Sequence, residues 1–343
     1  MSEARSAWAP WTQRVAETPP WSPLRLSLAI AGALGIAFVA LETALGRWPL
    51  VLSSDHARGD FRMATVMIAI LAYLPAAYTL IVAGARGALA ELAPALRCSP
   101  AEQAALRDGA GRFDPRALRL AGMVGVGLAL LIPLATNLTP WTYAFWILSP
   151  EANVHRLLLP AIGWLGARFV FAVIAESRWL SRIGREMLRV DLLDLRPLAP
   201  LVRQGLRQAL LSVGLLSILA LMLIDVDLAP GLLAVMGACL AGSFALSATA
   251  LALPVRGAHE AIVEAKRLEL DGCRERIRAL RDERASAGGS LADLLAWRAY
   301  VESVPEWPFD APTRLRFALY LAIPLGSWLG GALVEKLVDR LLG

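Results

Sequence analysis

The stretch LSLAIAGALGIAFVALETAL, residues 26–45, decides the class of fold, because Glu42 is its only charged residue. A helix needs about 20 predominantly apolar residues to cross the roughly 30 Å hydrocarbon core of a bilayer. Similar apolar runs recur along the chain, at residues 63–83, 120–135, 157–175, 210–224, 232–253 and 315–334. The sequence therefore predicts an all-α protein, a polytopic bundle of about seven transmembrane helices.

The composition agrees with a membrane protein. Of the 343 residues, 57% are hydrophobic and 18% are charged, whereas soluble domains are typically about 45–50% apolar and about 25% charged. The 34 basic residues exceed the 29 acidic ones, and arginines that flank membrane spans act as orientation signals. No basic motif or aromatic platform accompanies this surplus, so we expect the lipid bilayer as a partner and no nucleic acid.

Arginine also sets the expected orientation. The connection between the second and third runs is rich in arginine, as is the one between the fourth and fifth, whereas residues 225–230 contain none. The first connection is an exception, since it contains three arginines. Because short basic connections stay in the cytoplasm, we expect the N-terminus and the Arg-rich connections to be cytoplasmic. The abundance of Arg, Ala, Leu, Gly and Pro suggests a bacterial protein, and hence the inner membrane.

Four segments follow from this pattern. Residues 1–23 form a cytoplasmic or interfacial N-terminal segment, and residues 24–254 form a transmembrane domain of six spans. Residues 255–312 form a cytoplasmic helical hairpin, and residues 313–343 form a C-terminal membrane helix and tail. Within the second segment, the aromatic stretch at residues 140–146 predicts an interfacial helix.

The hairpin is predicted from a change of character after Pro254, where the chain becomes highly charged. Apolar residues recur there at helical spacing, at Val263, Leu270, Cys273, Ile277 and Leu280, with Lys266 in the same seam. Residues 287–290 predict a turn, and residues 291–304 a returning helix. The pattern favours a short coiled-coil stalk. The apolar stripe of this helix is too narrow for an independent domain. The returning helix or neighbouring subunits must therefore cover it, and we expect a homo-oligomer.

The fourth span is predicted to continue beyond the bilayer as a basic amphipathic helix. Trp179, Ile183, Met187 and Val190 recur at helical spacing between arginines. We expect this helix to lie on anionic lipid and to break at Pro197 and Pro200.

Arg168 is the residue most indicative of function, because it lies near the middle of the fourth span. An Arg at that depth costs at least about 2.5 kcal/mol unless it is paired or hydrated. Glu42 is the other charge well inside a run, although it lies closer to the outer face. The two residues are therefore candidates for an ion path or gating pair, and alternatively for a structural salt bridge between helices.

Three further residues are candidates for a role in packing or switching. Gly326 and Gly330 form a G-x-x-x-G pattern in the last run, which favours close helix packing. Pro324 in the same run leaves a re-entrant hairpin open as an alternative. His259 follows Pro254 at the base of the stalk, where its protonation would make a pH-sensitive joint.

No catalytic, cofactor-binding or metal-binding motif is evident. The chain contains no phosphate-binding loop, nucleophile elbow, H-E-x-x-H helix or dinucleotide fingerprint. Cys98, Cys239 and Cys273 are widely spaced, which favours free thiols, and no spacing brings His56 or His155 to a set of metal ligands. We therefore expect no cofactor, no metal and no enzymatic activity.

Two classes of function remain open. The first is an oligomeric ion channel or channel-like protein, with the stalk as its assembly or gating element. The second is a membrane-anchored signalling or scaffold protein whose stalk binds a cytoplasmic partner. A membrane-embedded enzyme is a third and weaker alternative.

Overall fold

The computed structural model describes residues 22–46, 48–49, 55–135, 153–221, 230–282 and 288–308, together with Leu315, Ala318 and Leu319. Its main helices are α1 (Pro23–Ala44), α2 (Asp55–Leu92), α3 (Pro100–Gly109), α4 (Pro115–Ala135), α5 (Asn153–Glu186), α6 (Ala199–Ala220), α7 (Pro230–Asp282) and α8 (Gly288–Ser303). Of the residues described, 89% are helical and none lies in a strand. The predicted all-α class is confirmed.

Four helical segments are long and apolar enough to cross a membrane: Pro23–Ala44, Phe61–Ala95, Leu158–Glu186 and Gly237–Leu280. This agrees with a membrane protein, and the count of about seven spans stays a prediction. The runs at 120–135 and 210–224 lie in or overlap α4 and α6. The last run, with Gly326 and Gly330, lies outside the described residues apart from three positions at its start, as do residues 1–21 and 140–146.

Helix α2 occupies the centre of the bundle. In its most apolar stretch 78% of the residues are buried, compared with 6% for α1. Helix α1 runs antiparallel to α2, since Ser27 Oγ donates to the Ala72 carbonyl at 2.9 Å while Phe38 packs near Phe61. On its outer face α1 exposes leucine and isoleucine side chains, as expected of a helix that faces lipid.

Glycines allow the closest helix crossings. Helices α4 and α5 cross where Gly125 faces Gly163, and helices α5 and α7 cross where Gly257 faces Ser181. A Cβ atom on Gly257 would lie 2.6 Å from the Ser181 carbonyl carbon, closer than van der Waals contact allows. Small residues at such crossings let backbones approach and gain dispersion energy. These contacts hold α5 and α7 side by side in the same direction.

One end of the bundle, which we call the Arg-rich end, contains the C-termini of α2 and α5 and the N-termini of α4 and α6. Helix α5 ends here at Glu186, well before the predicted break at Pro197. The reason is a short antiparallel bridge, in which Arg97 N donates to the Met187 carbonyl and Arg189 N to the Ala95 carbonyl, each at 2.7 Å. These bonds satisfy backbone groups that a longer helix would have paired internally.

The apolar face of this segment packs against protein. Trp179, Ile183, Met187 and Val190 join a cluster built from α2, α6 and α7. The expectation that this face lies on lipid is therefore wrong. Burial against three helices removes the same apolar area from water and needs no bilayer surface.

Helix α7 continues without interruption through Pro254, and α8 packs against its second half. Cys273 is buried and Lys266 nearly so, whereas Val263 is exposed and Ile262 takes the buried position instead. The Lys266 ammonium group donates to the carbonyls of Glu302 and Val304, at 3.2 and 2.8 Å. The lysine that interrupts the predicted seam therefore caps the C-terminus of α8. The coiled coil and the projecting stalk stay predictions.

Candidate functional site

Arg168 lies inside the bundle, with 9% of its surface exposed. Its guanidinium carbon lies 5.2 Å from the ring centroid of Trp164, one turn earlier in α5, which is a cation–π geometry. Tyr78 of α2 also interacts with it electrostatically. The charge therefore lies among protein groups at the interface between α2 and α5.

Glu42 is buried at the other end of the bundle. It follows Phe38 by one turn of α1, and the Phe38 ring lies 5.4 Å from that of Phe61. Tyr78 lies further along α2 than Phe61 by roughly 25 Å, at about 1.5 Å per residue. The structure thus places Glu42 and Arg168 at different levels of the bundle, and the two predicted charges do not share a site.

A second buried charge lies in the same helix as Arg168, at a position that the pattern of apolar runs does not mark. Glu176 is only 2% exposed, in the same helix as Arg168 and two turns beyond it. Its Oε2 atom accepts a hydrogen bond from the Gly111 backbone N–H at 3.3 Å. Its Oε1 atom has no hydrogen-bond partner among the described residues. The carboxyl group also interacts electrostatically with Tyr78 and Arg86 of α2.

Polar side chains of α6 face the same interior region. Gln204 Nε2 donates to the Ile81 carbonyl at 3.0 Å, and the Ser177 hydroxyl donates to Gln208 Oε1 at 2.7 Å. Both glutamines are almost fully buried. We call the six side chains the buried polar layer: Tyr78, Arg168, Glu176, Ser177, Gln204 and Gln208.

Four buried atoms of this layer have no hydrogen-bond partner within the part of the chain that the structure describes. They are Tyr78 Oη, Glu176 Oε1, Gln204 Oε1 and Gln208 Nε2. A buried polar group left without a partner costs about 1–3 kcal/mol. Buried polar groups are normally satisfied, so a cluster of exceptions calls for an explanation such as a water molecule or an ion.

The layer has a definite position along the bundle. From Arg168 to Glu176 it extends roughly 12 Å along α5, at about 1.5 Å per residue. It begins near the middle of the fourth apolar run and ends at the Arg-rich end of the bundle. Glu176 itself is level with the turn that precedes α4, because its Oε2 atom accepts the Gly111 N–H, so the layer extends past the start of that helix.

The sequence contained a signal for this layer. Gln204, Gln208 and Ser212 are four residues apart, so they share one face of a helix. Glu176 continues the buried face of α5 that includes Val173 and Leu180. The fourth apolar run ends at residue 175, one position earlier, so hydropathy alone does not mark Glu176 as a buried charge.

His259 lies in α7, in contact with the segment that follows α8. Its ring stacks on Trp307 with the centroids 4.1 Å apart and an angle of 7° between the planes. Its Nδ1 atom lies 2.9 Å from the Glu306 carbonyl oxygen. The predicted joint residue therefore joins α7 to the chain that leaves α8, and its pH sensitivity stays a prediction.

A polar cleft opens next to the layer at the Arg-rich end. It is lined by Gly84, Gly87, Ala88, Glu91, Pro200, Arg203, Gln204 and Arg207. Glu91 and Arg203 form an ion pair across it. Gln204 belongs to both the cleft and the layer, so the cleft reaches one of the buried polar groups.

Metal chemistry finds no support in the described ranges, where no group of three His, Cys, Asp or Glu side chains is placed to bind an ion. Cys98, Cys239 and Cys273 are free thiols, as predicted. The side chains of His56 and His155 lie outside those that the structure describes.

The fold defines an all-helical protein with several apolar helices, compatible with a location in a membrane. Comparison with known proteins takes this no further: no protein-family model matches the chain, and no curated protein and no solved structure matches it.

Proposed function

We propose that this protein is a multi-pass inner-membrane protein that conducts ions, with its path along the buried polar layer. The observation that carries the proposal is the set of unpartnered polar atoms around Glu176 and Arg168. Ionisable residues inside a membrane are costly, and they typically face ion pathways or pair with one another. A layer that held the helices together and did nothing else would be expected to satisfy its own hydrogen bonds.

The proposal includes the topology that the arginine distribution favours. The Arg-rich end would face the cytoplasm together with the N-terminus, since the N-terminal end of α1 is the one directed towards the Arg-rich end. Helix α7 would leave the membrane there and form the stalk with α8. Because α7 is continuous, a tilt of its C-terminal half, which packs against α8, would be transmitted to its N-terminal half, which packs against α5 and α6.

Ion flux into proteoliposomes tests the proposal. We expect purified protein to carry ions above the level of empty vesicles, and Arg168→Leu to change the rate or the selectivity at least tenfold. Arg274→Leu is the matched control, because Arg274 is an exposed residue of α7, and its flux should equal that of the wild type. Circular dichroism in detergent establishes that each variant is folded. Wild-type vesicles that pass no ion at any voltage, pH or membrane tension would contradict an ion path.

A second function, that of a membrane-anchored scaffold, is favoured by apolar side chains on α7 and α8. Leu268 is 64% exposed and Leu295 is 48% exposed, and both follow the apolar run at residues 232–253. This surface would bind either neighbouring copies in a homo-oligomer or a cytoplasmic protein. Native mass spectrometry of the Leu268→Asp, Leu295→Asp double variant separates the two. A fall from oligomer to monomer assigns the surface to self-assembly, and a wild type that is already monomeric leaves it to another protein.

A further inference from the structure

We infer that the Glu176 carboxyl group is the proton-binding site of the buried polar layer. The inference deepens the proposed function, on which it rests for its role, by naming the proton as the ion that the layer moves. It depends on four features of the structure: the environment of the carboxyl group, the charges near it, the neighbouring hydroxyl group and the opening at the cleft.

The surroundings of Glu176 are built to hold a carboxyl group. Gly111 has a φ of 77°, a conformation that residues other than glycine adopt at a cost. From this turn its N–H points at Oε2 and satisfies one oxygen. The other oxygen, Oε1, is buried without a partner in the described part of the chain. A proton that binds Oε1 forms an O–H bond and turns the carboxyl group into a neutral hydrogen-bond donor. Its release regenerates the carboxylate.

The charges in the layer favour a proton over a metal cation. Arg86 acts on Glu176 and Arg168 acts on its neighbour Tyr78; these positive charges oppose any bound cation, and they oppose a divalent metal ion more strongly than a proton because Coulomb energy scales with charge. Hard cations such as Ca²⁺ also require about six to eight oxygen ligands. Here Glu176 contributes the carboxylate, and Gly111 contributes an N–H donor in place of a ligand oxygen. A proton needs one free oxygen atom, which Oε1 provides.

Tyr78 links the two charges of the layer. Its hydroxyl group is buried, has no partner among the described residues and interacts electrostatically with both Glu176 and Arg168. A hydroxyl group both donates and accepts a hydrogen bond, so it can pass a proton on while it receives another. A relay of this kind would need bound water in the gaps between these groups.

The neutral amides of α6 connect α5 to the cleft. Ser177 follows Glu176 in α5 and donates to Gln208, while Gln204 reaches the cleft lined by Arg203 and Arg207. Protons would enter or leave at this opening. The titratable and charged groups that act on Glu176 from the facing helix are Tyr78 and Arg86, and both belong to α2.

The test combines proton uptake with infrared spectroscopy on reconstituted full-length protein. Uptake driven by a potassium diffusion potential should fall at least tenfold in Glu176→Gln, and Glu176→Asp should restore part of it with a shifted pH profile. Glu264→Gln is the matched control, since Glu264 is an exposed carboxyl of α7. In the infrared spectrum we expect the wild type and the control to show a protonated-carboxyl band that moves in heavy water and titrates. Glu176→Gln should lack it.

The outcomes separate this inference from the proposed function. Flux of another ion that Glu176→Gln leaves unchanged would overturn the inference and leave the ion path in place. A titrating band in vesicles that pass no ion would retain the proton-binding site and overturn the path. Identical infrared spectra for the wild type and Glu176→Gln would overturn the proton-binding site itself. If Glu176→Gln does not fold, the pH profile of the Glu176→Asp variant decides: a profile equal to that of the wild type counts against the inference.

Discussion

Replacing Lys266 with methionine should release α8 from α7. Lys266 is 8% exposed, and its Nζ atom donates to the carbonyls of Val304 and Glu302. Glu306 Oε1 lies 3.6 Å away. These carbonyls lie at the C-terminus of α8, where C=O groups lack helical partners and the helix dipole favours a positive charge. Methionine keeps most of the side-chain volume and removes the charge and its donors.

The expected cost is about 2 kcal/mol for the docking of α8. Hydrogen bonds to charged groups contribute about 1.5–3 kcal/mol each. The methionine offsets part of the loss, because the buried ammonium no longer has to be taken out of water. At about 1.4 kcal/mol per factor of ten, the undocked fraction of α8 should rise by roughly 30-fold.

Amide hydrogen exchange on the full-length protein in nanodiscs measures this rise directly. Exchange in α8 should accelerate by the same factor in Lys266→Met, because local opening controls it, while α2 keeps its wild-type protection. Arg274→Met is the control: it removes a cation of α7 that pairs with Asp271 at the surface, and such pairs contribute about 0–1 kcal/mol. Unchanged exchange in α8 of Lys266→Met would refute the capping role.

Three further predictions concern packing, topology and pH. Gly257→Val should destabilise the protein by at least about 2 kcal/mol through overpacking at the α5 crossing, whereas Gly272→Ala, with open space around it, should stabilise α7 by up to about 1 kcal/mol; thermal unfolding in detergent compares them. In a cysteine-free background, an impermeant thiol reagent should label Asp227→Cys from outside intact cells and leave Arg276→Cys unlabelled, and the reverse pattern would invert the topology. Hydrogen bonds from the N-cap serine of α3 lower the pKa of Glu102, so the stability they add should be present above the ordinary Glu range and be lost as pH falls through the lowered pKa. Exchange in α3 should show this acid dependence in the wild type and lose it in Glu102→Gln.

The fold class and most helix positions followed from the sequence because they depend on local properties. An apolar run in a bilayer must satisfy its backbone hydrogen bonds within itself, and a helix does so with near neighbours alone. The runs therefore predicted α1, α2, α4, α6 and the first half of α7 without knowledge of their partners. Lys266 stands out in the sequence for the same reason. It is a charged residue at a position where the helical repeat of apolar residues along α7 calls for an apolar one.

The site followed from the sequence only in part. Arg168 was identified because a charge inside an apolar run is conspicuous. Glu176 lies just past the end of its run, where a charge is ordinary, and its burial arises from Gly111 and from side chains of α2, 65 and more positions earlier in the chain. The end of α5 at Glu186 likewise depends on backbone partners at Ala95 and Arg97.

Hydropathy along the chain thus determined which segments become helices and which of them suit a membrane. Tertiary packing alone decided which polar side chains meet. Burial of a charge and satisfaction of a hydrogen bond are properties of groups brought together from distant positions, and one helix considered by itself contains no information about the groups that will face it. Glu42 and Arg168 lie at different levels of the bundle, whereas the register of α2 against α5 places Tyr78 where it interacts with both Arg168 and Glu176.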